Sequence, residues 1–143
     1  MKRLELEILG CSEVRWTQSG KIRLDNMTFL YSGHEQDHKR GVGIFLGPRA
    51  TASLLGYWQI SNRVIIAKLQ ANPFNMNIIQ VYAPTCASSE EELENFYDDL
   101  DKAMRQCRSQ EINLVMGDLN AKVGKGQYQD IVGIKFTHRP KIR

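Results

Sequence analysis

Apolar residues recur at helical spacing in one stretch. Leu93, Phe96, Tyr97, Leu100, Met104 and Cys107 follow an i, i+3, i+4, i+7 pattern, which predicts an amphipathic helix from about Glu90 to Cys107. Two overlapping capping boxes, Ser88 with Glu91 and Ser89 with Glu92, precede it, and Arg105 and Arg108 lie at the end where the helix dipole favours cations. Five β-branched or aromatic runs predict strands: Thr28 to Tyr31, Val42 to Leu46, Val64 to Leu69, Asn77 to Tyr82 and Ile112 to Met116. Ala71-Asn72-Pro73-Phe74-Asn75 reads as a hairpin connection between the third and fourth runs, and the helix separates the fourth from the fifth. A layered α/β arrangement follows. Lys2 to Leu9 fits either the end of a helix or a lead-in strand. Beyond Gly124 the pattern fades, so a domain over 1–124 and a basic tail over 125–143 are expected.

The chain has 143 residues, 42% hydrophobic and 24% charged, enough for one domain with its own core and unlike a disordered or fibrous sequence. Its three cysteines, Cys11, Cys86 and Cys107, are odd in number and lack CxxC spacing, which argues against a disulfide framework or a zinc site. A reducing, intracellular setting is expected, nucleus and cytoplasm being equally open. No apolar run approaches the roughly 18 residues of a membrane helix, and no signal peptide is visible. Neither a membrane nor an obligate protein partner is expected.

Charge is unevenly spread. Glu90 to Asp101 holds seven of the sixteen acids and no base, leaving nineteen Lys and Arg against nine acids elsewhere, a net +10. Such a remainder suits either a polyanionic partner such as nucleic acid or a solvated basic face.

Three strings place chemistry at strand ends. In Ile112-Asn113-Leu114-Val115-Met116-Gly117-Asp118-Leu119-Asn120-Ala121 a buried-strand pattern stops at glycine and then shows a carboxylate and a carboxamide. Extended alternation would point Asp118 and Asn120 the same way, while an Asp/Asn turn is the alternative. Ile8-Leu9-Gly10-Cys11-Ser12-Glu13-Val14-Arg15-Trp16 offers Glu13 either as a hard ligand for Mg²⁺ or as a partner of Arg15. Ile79-Gln80-Val81-Tyr82-Ala83-Pro84-Thr85 delivers Tyr82 either to a phosphate oxygen or to packing.

Taken in order, a Leu-x-x-x-Glu-Val-Arg-Trp context, a strand ending Val-Tyr-Ala-Pro, and Gly-Asp-Leu-Asn-Ala resemble the endonuclease/exonuclease/phosphatase superfamily. Within it the sequence is most similar to the apurinic/apyrimidinic-type endonuclease domain of LINE (non-LTR) retrotransposons, including the craniofacial development protein 2-like group. Gly41-Val42-Gly43-Ile44 adds to the resemblance, which spans about Leu4 to Gly124. It implies a DNase I-like α/β sandwich and hydrolysis of DNA phosphodiester bonds with Mg²⁺ or Mn²⁺. It also implies residue roles: Glu13 as metal ligand, Asp118 as the group that orients or deprotonates water, Asn120 as a partner of nucleophile and phosphate, and Tyr82 as a support for the scissile phosphate. Thr85 stands where some members carry asparagine. The family's first strand with its asparagine, and its Ser-Asp-His-type string, have no match; His138 follows Thr137 rather than an acid. The expectation is therefore a partial α/β sandwich, roughly the first half of the fold without its first strand, truncated at both ends and inactive by itself.

Two rival readings remain. His34-Glu35-Gln36-Asp37-His38 matches HExxH formally, but its polar flanks suit a connection between strands better than the helix a zinc protease needs. A non-catalytic nucleic-acid or protein interaction module derived from a retrotransposon is the other.

Overall fold

A computed structural model describes residues 5–120. The first sheet is built from β1 (Ile8–Ser12), β2 (Ser19–Leu24), β3 (Met27–Ser32) and β4 (Val42–Leu46), in the order β1-β4-β3-β2. All its neighbours run antiparallel. A short helix, α1 (Pro48–Ala52), leads to the second sheet, made of β5 (Leu54–Ser61), β6 (Val64–Leu69), β7 (Met76–Tyr82) and β8 (Ile112–Asp118) in chain order. Helix α2 (Glu90–Arg105) connects β7 to β8 and lets them pair in parallel, because only a long crossover returns the chain to the same end of a sheet. The fold is a partial α/β sandwich.

β6 explains the layering. Ile65, Ala67 and Leu69 pack against Leu30, Val42, Ile44 and Leu46 of the first sheet, while Val64 and Ile66 pack with Phe96 and Ala103 of α2. Both faces of this strand are covered, so Val64 to Ala67 read as a continuous apolar run rather than an alternation, with Lys68 the one polar position of the strand. Each fully buried Ile or Val contributes roughly 1.5–3 kcal/mol through its removal from water. Helix α2 begins at the second of the two capping boxes: Ser89 Oγ accepts from the Glu92 N–H at 3.2 Å. The helix stops at Arg105, two residues short of the expected end.

All five predicted runs are strands, and the lead-in ambiguity resolves to a strand, with Ile8 to Ser12 paired along β4. β8 continues two residues beyond Met116, which carries Gly117 and Asp118 into the sheet. The expected tail over 125–143 lies outside the described residues.

At the far end from the candidate site, aligned polar positions on β6, β7 and β8 form a network. Lys68 Nζ donates to Glu111 Oε1 at 2.9 Å. The fully buried Asn77 donates through Nδ2 to Glu111 Oε2 at 2.8 Å and to Asn113 Oδ1 at 2.7 Å. The Asn77 bond, then Lys68 and the Arg108 N–H, hold the Glu111 carboxyl down at about 2 against an ordinary value of 4.5. A carboxylate depressed on folding stabilises the native state above its unfolded pKa, and that contribution is lost as pH falls through the folded value. Glu111→Gln is therefore expected to lower stability at neutral pH and to flatten the loss of stability between about pH 4.5 and 2. Urea titrations across that range provide the measurement, and identical pH slopes for the two proteins would refute the assignment.

Candidate active site

The ends of β1, β7 and β8 meet on one rim of the sandwich. β7 and β8 run parallel in a register that pairs Tyr82 with Asp118. β1 belongs to the other sheet, and its last residue is tied across the gap by Gln80 Nε2, which donates to Ser12 Oγ at 3.2 Å. Gly10 faces the same glutamine; a Cβ there would come within 1.9 Å of Gln80 Oε1, so glycine lets the two sheets approach.

Glu13 follows directly. Consecutive side chains on an extended strand point to opposite faces, which would send Glu13 away from β7 if Ser12 points toward it. Glu13 instead has φ 55, a left-handed conformation that breaks the alternation. Its Oε1 accepts from the Tyr82 hydroxyl at 2.8 Å, and Oε2 accepts from Arg15 at 3.3 Å. The tyrosine bond, then Arg15, lowers the pKa of Glu13. The same bond is the main cause raising that of Tyr82, because it stabilises the protonated phenol as a donor. Tyr82 also packs against the apolar layer between the sheets, so its packing and polar roles coexist.

Asp118 and Asn120 do not share a direction by strand alternation. β8 ends at Asp118, and Asn120 has φ 45. Asp118 Oδ1 accepts from the Asn120 N–H at 2.9 Å, the geometry of an Asx turn. Asn120 Nδ2 donates to Ala83 O at 2.6 Å, and the Ala83 N–H donates to Asp118 O at 2.8 Å. These bonds lace the end of β7 to the end of β8 and hold the Asp118 carboxylate, which is exposed, at the rim. Glu13 touches Tyr82, and Tyr82 lies in register with Asp118, while the Asn120 amide is turned to backbone.

The HExxH string is irregular backbone between β3 and β4. His34 Nδ1 accepts from the N–H groups of Gln36 and Asp37, at 3.3 and 3.1 Å, while His38 Nδ1 contacts Arg15 O at 3.1 Å. The helix that would bring both rings to one metal is absent, and among the described residues no three His, Cys, Asp or Glu side chains gather around a common point.

No family model matches the chain. Over 133 residues, 93% of its length, the chain is 34% identical to craniofacial development protein 2 of Bos taurus. Identity to craniofacial development protein 2 of Tragulus javanicus is 33% over the same number of residues. Across most of its length the chain is thus similar to craniofacial development protein 2. It spans under a quarter of the length of these curated relatives, 22% and 23% respectively.

The site also has neighbours to which the three strings assigned no chemical role. Arg63, in the turn between β5 and β6, is 8% exposed. Its Nη1 donates to Tyr82 O at 3.0 Å, and its guanidinium lies 5.4 Å from the centre of the Tyr82 ring. Burial, followed by the nearby Arg40, lowers its pKa. Gln80 is 1% exposed, and its position within Ile78-Ile79-Gln80-Val81 was the sequence signal for it. Trp16 stays half-exposed, with its ring 5.4 Å from Phe29 and 5.2 Å from Tyr31 in edge-on contacts. Among the described residues no helix is long and apolar enough to cross a membrane.

Proposed function

We propose that the chain carries part of the site of a Mg²⁺- or Mn²⁺-dependent phosphodiesterase of the endonuclease/exonuclease/phosphatase superfamily, of the DNA endonuclease type found in LINE retrotransposons. The observation that supports this reading most is the meeting of Glu13, Tyr82 and Asp118, drawn from segments far apart in sequence, on one rim.

The donor set suits a hard cation. Glu13 presents carboxylate oxygens, and Mg²⁺ is commonly held by one or two carboxylates with several retained waters, so a three-ligand protein cage is not required. Arg15, bonded to Glu13 at 3.3 Å with its side chain 69% exposed, is a weak competitor for those oxygens. When bound, the metal supplies Lewis-acid polarisation of a phosphate oxygen. The chain's own groups do the rest. Tyr82 fixes Glu13 in place through its hydroxyl, Asp118 takes the proton of an attacking water, and Asn120 holds the turn that presents Asp118. Arg63 sets positive charge behind Tyr82, where it favours the charge developing on phosphate oxygens.

A second reading is a non-catalytic nucleic-acid or protein interaction module derived from a retrotransposon. Its supporting observation is that both Glu13 oxygens and the Asn120 amide already have partners within the chain. Nicking of supercoiled plasmid with Mg²⁺ or with EDTA separates the two readings, applied to the 143-residue chain and to a version extended by the flanking segments of the longer relatives. No nicking is expected from the 143 residues alone, which contain no Ser-Asp-His string, since general acid–base help is worth about 10²- to 10⁴-fold. Metal-dependent nicking is expected from the extended version. Failure of both forms to nick, with DNA binding intact, would favour the interaction module.

A further inference from the structure

We propose that Arg40 and Arg63 form a phosphate-binding subsite beside Tyr82, and that in the free chain the carboxylate of Glu92 occupies it. The inference rests on the phosphodiester reading for its ligand class, and goes beyond it in assigning a second anion site and an internal occupant.

Arg63 is the starting point. A buried charge is ordinarily paired, because removing it from water without an opposite charge is costly. Arg63 is 8% exposed, yet among the described residues no carboxylate lies within salt-bridge distance of it. Its side-chain bond is to a neutral acceptor, Tyr82 O, at 3.0 Å. A guanidinium has five N–H donors in a fixed fork, so most of its capacity is unused.

A second cation is brought to the same place by the backbone. The Gly41 N–H donates to Asn62 O at 3.1 Å, so Arg40 and Arg63 flank the two ends of one interloop hydrogen bond. The approach uses left-handed backbone at both Arg40, φ 63, and Gly41, φ 101. Holding like charges together is unfavourable unless an anion lies between or beside them. The carboxylate that serves here is Glu92 in the first turn of α2, which forms a salt bridge with Arg40 Nη2.

The pairing is partial and exchangeable. The side chains of Arg40 and Glu92 are 41% and 33% exposed, so water and ligands reach the pair. Two arginine forks match the oxygens of phosphate better than a single carboxylate does, since phosphate offers acceptors to both at once. Occupation by phosphate displaces Glu92 and leaves Arg40 and Arg63 sharing one anion next to Tyr82. The chemistry is common to a nucleic-acid backbone and to a free or inositol-linked phosphate.

The test is equilibrium binding by the full chain in EDTA, with a short DNA duplex, inorganic phosphate and an inositol phosphate as separate probes. Glu92→Gln keeps the size and an acceptor but removes the competing charge. It is expected to tighten binding about two- to fivefold, the range of an exposed ion pair converted to affinity. The salt dependence for DNA should steepen by about one counterion. Arg40→Gln should weaken binding and remove the response to Glu92→Gln. A response confined to the duplex assigns the subsite to a polynucleotide, and a response to all three probes assigns it to phosphate in general. Unchanged or weaker binding by Glu92→Gln, at a wild-type melting temperature, overturns the proposal. Should that variant be destabilised, the Arg63 Nε–H resonance of the wild-type chain decides: a shift on phosphate addition supports the subsite, and no shift rejects it. Loss of nicking would reject the hydrolase reading without altering any of these outcomes.

Discussion

Gly117→Ala is expected to destabilise the chain by about 3 kcal/mol or more, because two independent penalties fall on one position. Gly117 has φ +136, a conformation that residues with a side chain rarely adopt. A Cβ there would also lie 2.0 Å from Val81 O, its partner in the parallel β7–β8 pair. The obstacle is backbone of the neighbouring strand β7, so relief requires the two strands to separate where Tyr82 and Asp118 are held in register. Urea denaturation reads the effect, with Gly56→Ala as the comparison, since there the nearest atoms are the Trp58 ring at 3.3 Å. A loss of under about 1 kcal/mol in Gly117→Ala would show that the rim is more yielding than this geometry allows. Loss of the site with retention of the fold is the second expected signature, visible as release of the Tyr82 hydroxyl from Glu13.

The elements that could be read from sequence are those whose two faces meet similar surroundings. β6 and β7 are covered by the first sheet and by α2, so their runs are largely apolar, with Lys68, Asn77 and Gln80 as the polar exceptions, and stand out. α2 has one buried face and a cap, and both leave a pattern. The missed elements lie where surroundings change along the strand. β2 is an edge strand whose Lys21 and Arg23 are exposed at the margin of the sandwich, and the signal for it was the tight Asp25-Asn26 turn, with φ 55 at Asp25. β5 carries register shifts between Leu54 and Gly56 and between Gln59 and Ser61, and each shift breaks the two-residue period by which a strand is recognised. α1 is five residues long, too short for helical periodicity, although Pro48 marks its first turn.

The site divides in the same way. Glu13, Tyr82, Asp118 and Asn120 were visible as polar residues at the ends of apolar runs, but their relation depended on backbone that does not follow the strand period. The left-handed conformation at Glu13 turns it toward Tyr82, and that at Asn120 closes the turn onto Asp118. Both local alternatives left open by the sequence, the Arg15 partner and the Asx turn, are present in the structure alongside the cross-sheet contact. Arg63 had no sequence signal, because an arginine in a two-residue turn is normally solvated, and its burial comes from tertiary contacts, with Tyr82 beside it and the β3–β4 loop bonded to the same turn.

Asp118→Asn, placed in a nicking-competent extended form of the chain, is expected to reduce the nicking rate by about 10²- to 10⁴-fold with no change in melting temperature. The choice of asparagine follows from how the carboxylate is used. Oδ1 is already an acceptor for the Asn120 N–H at 2.9 Å, and an amide oxygen can fill that place and keep the turn. Oδ2 has no hydrogen-bond partner among the described residues, and it is the oxygen able to receive a proton from water. Asparagine presents an NH₂ group there, which donates and cannot act as a base. Asp118→Ala removes both functions, so it should lose activity to a similar degree and stability in addition. Its turn bond and the register that holds Tyr82 opposite residue 118 would both be weakened. If Asp118→Asn nicks within a few-fold of the parent while Asp118→Ala melts lower, then Asp118 shapes the turn and some other group directs the water.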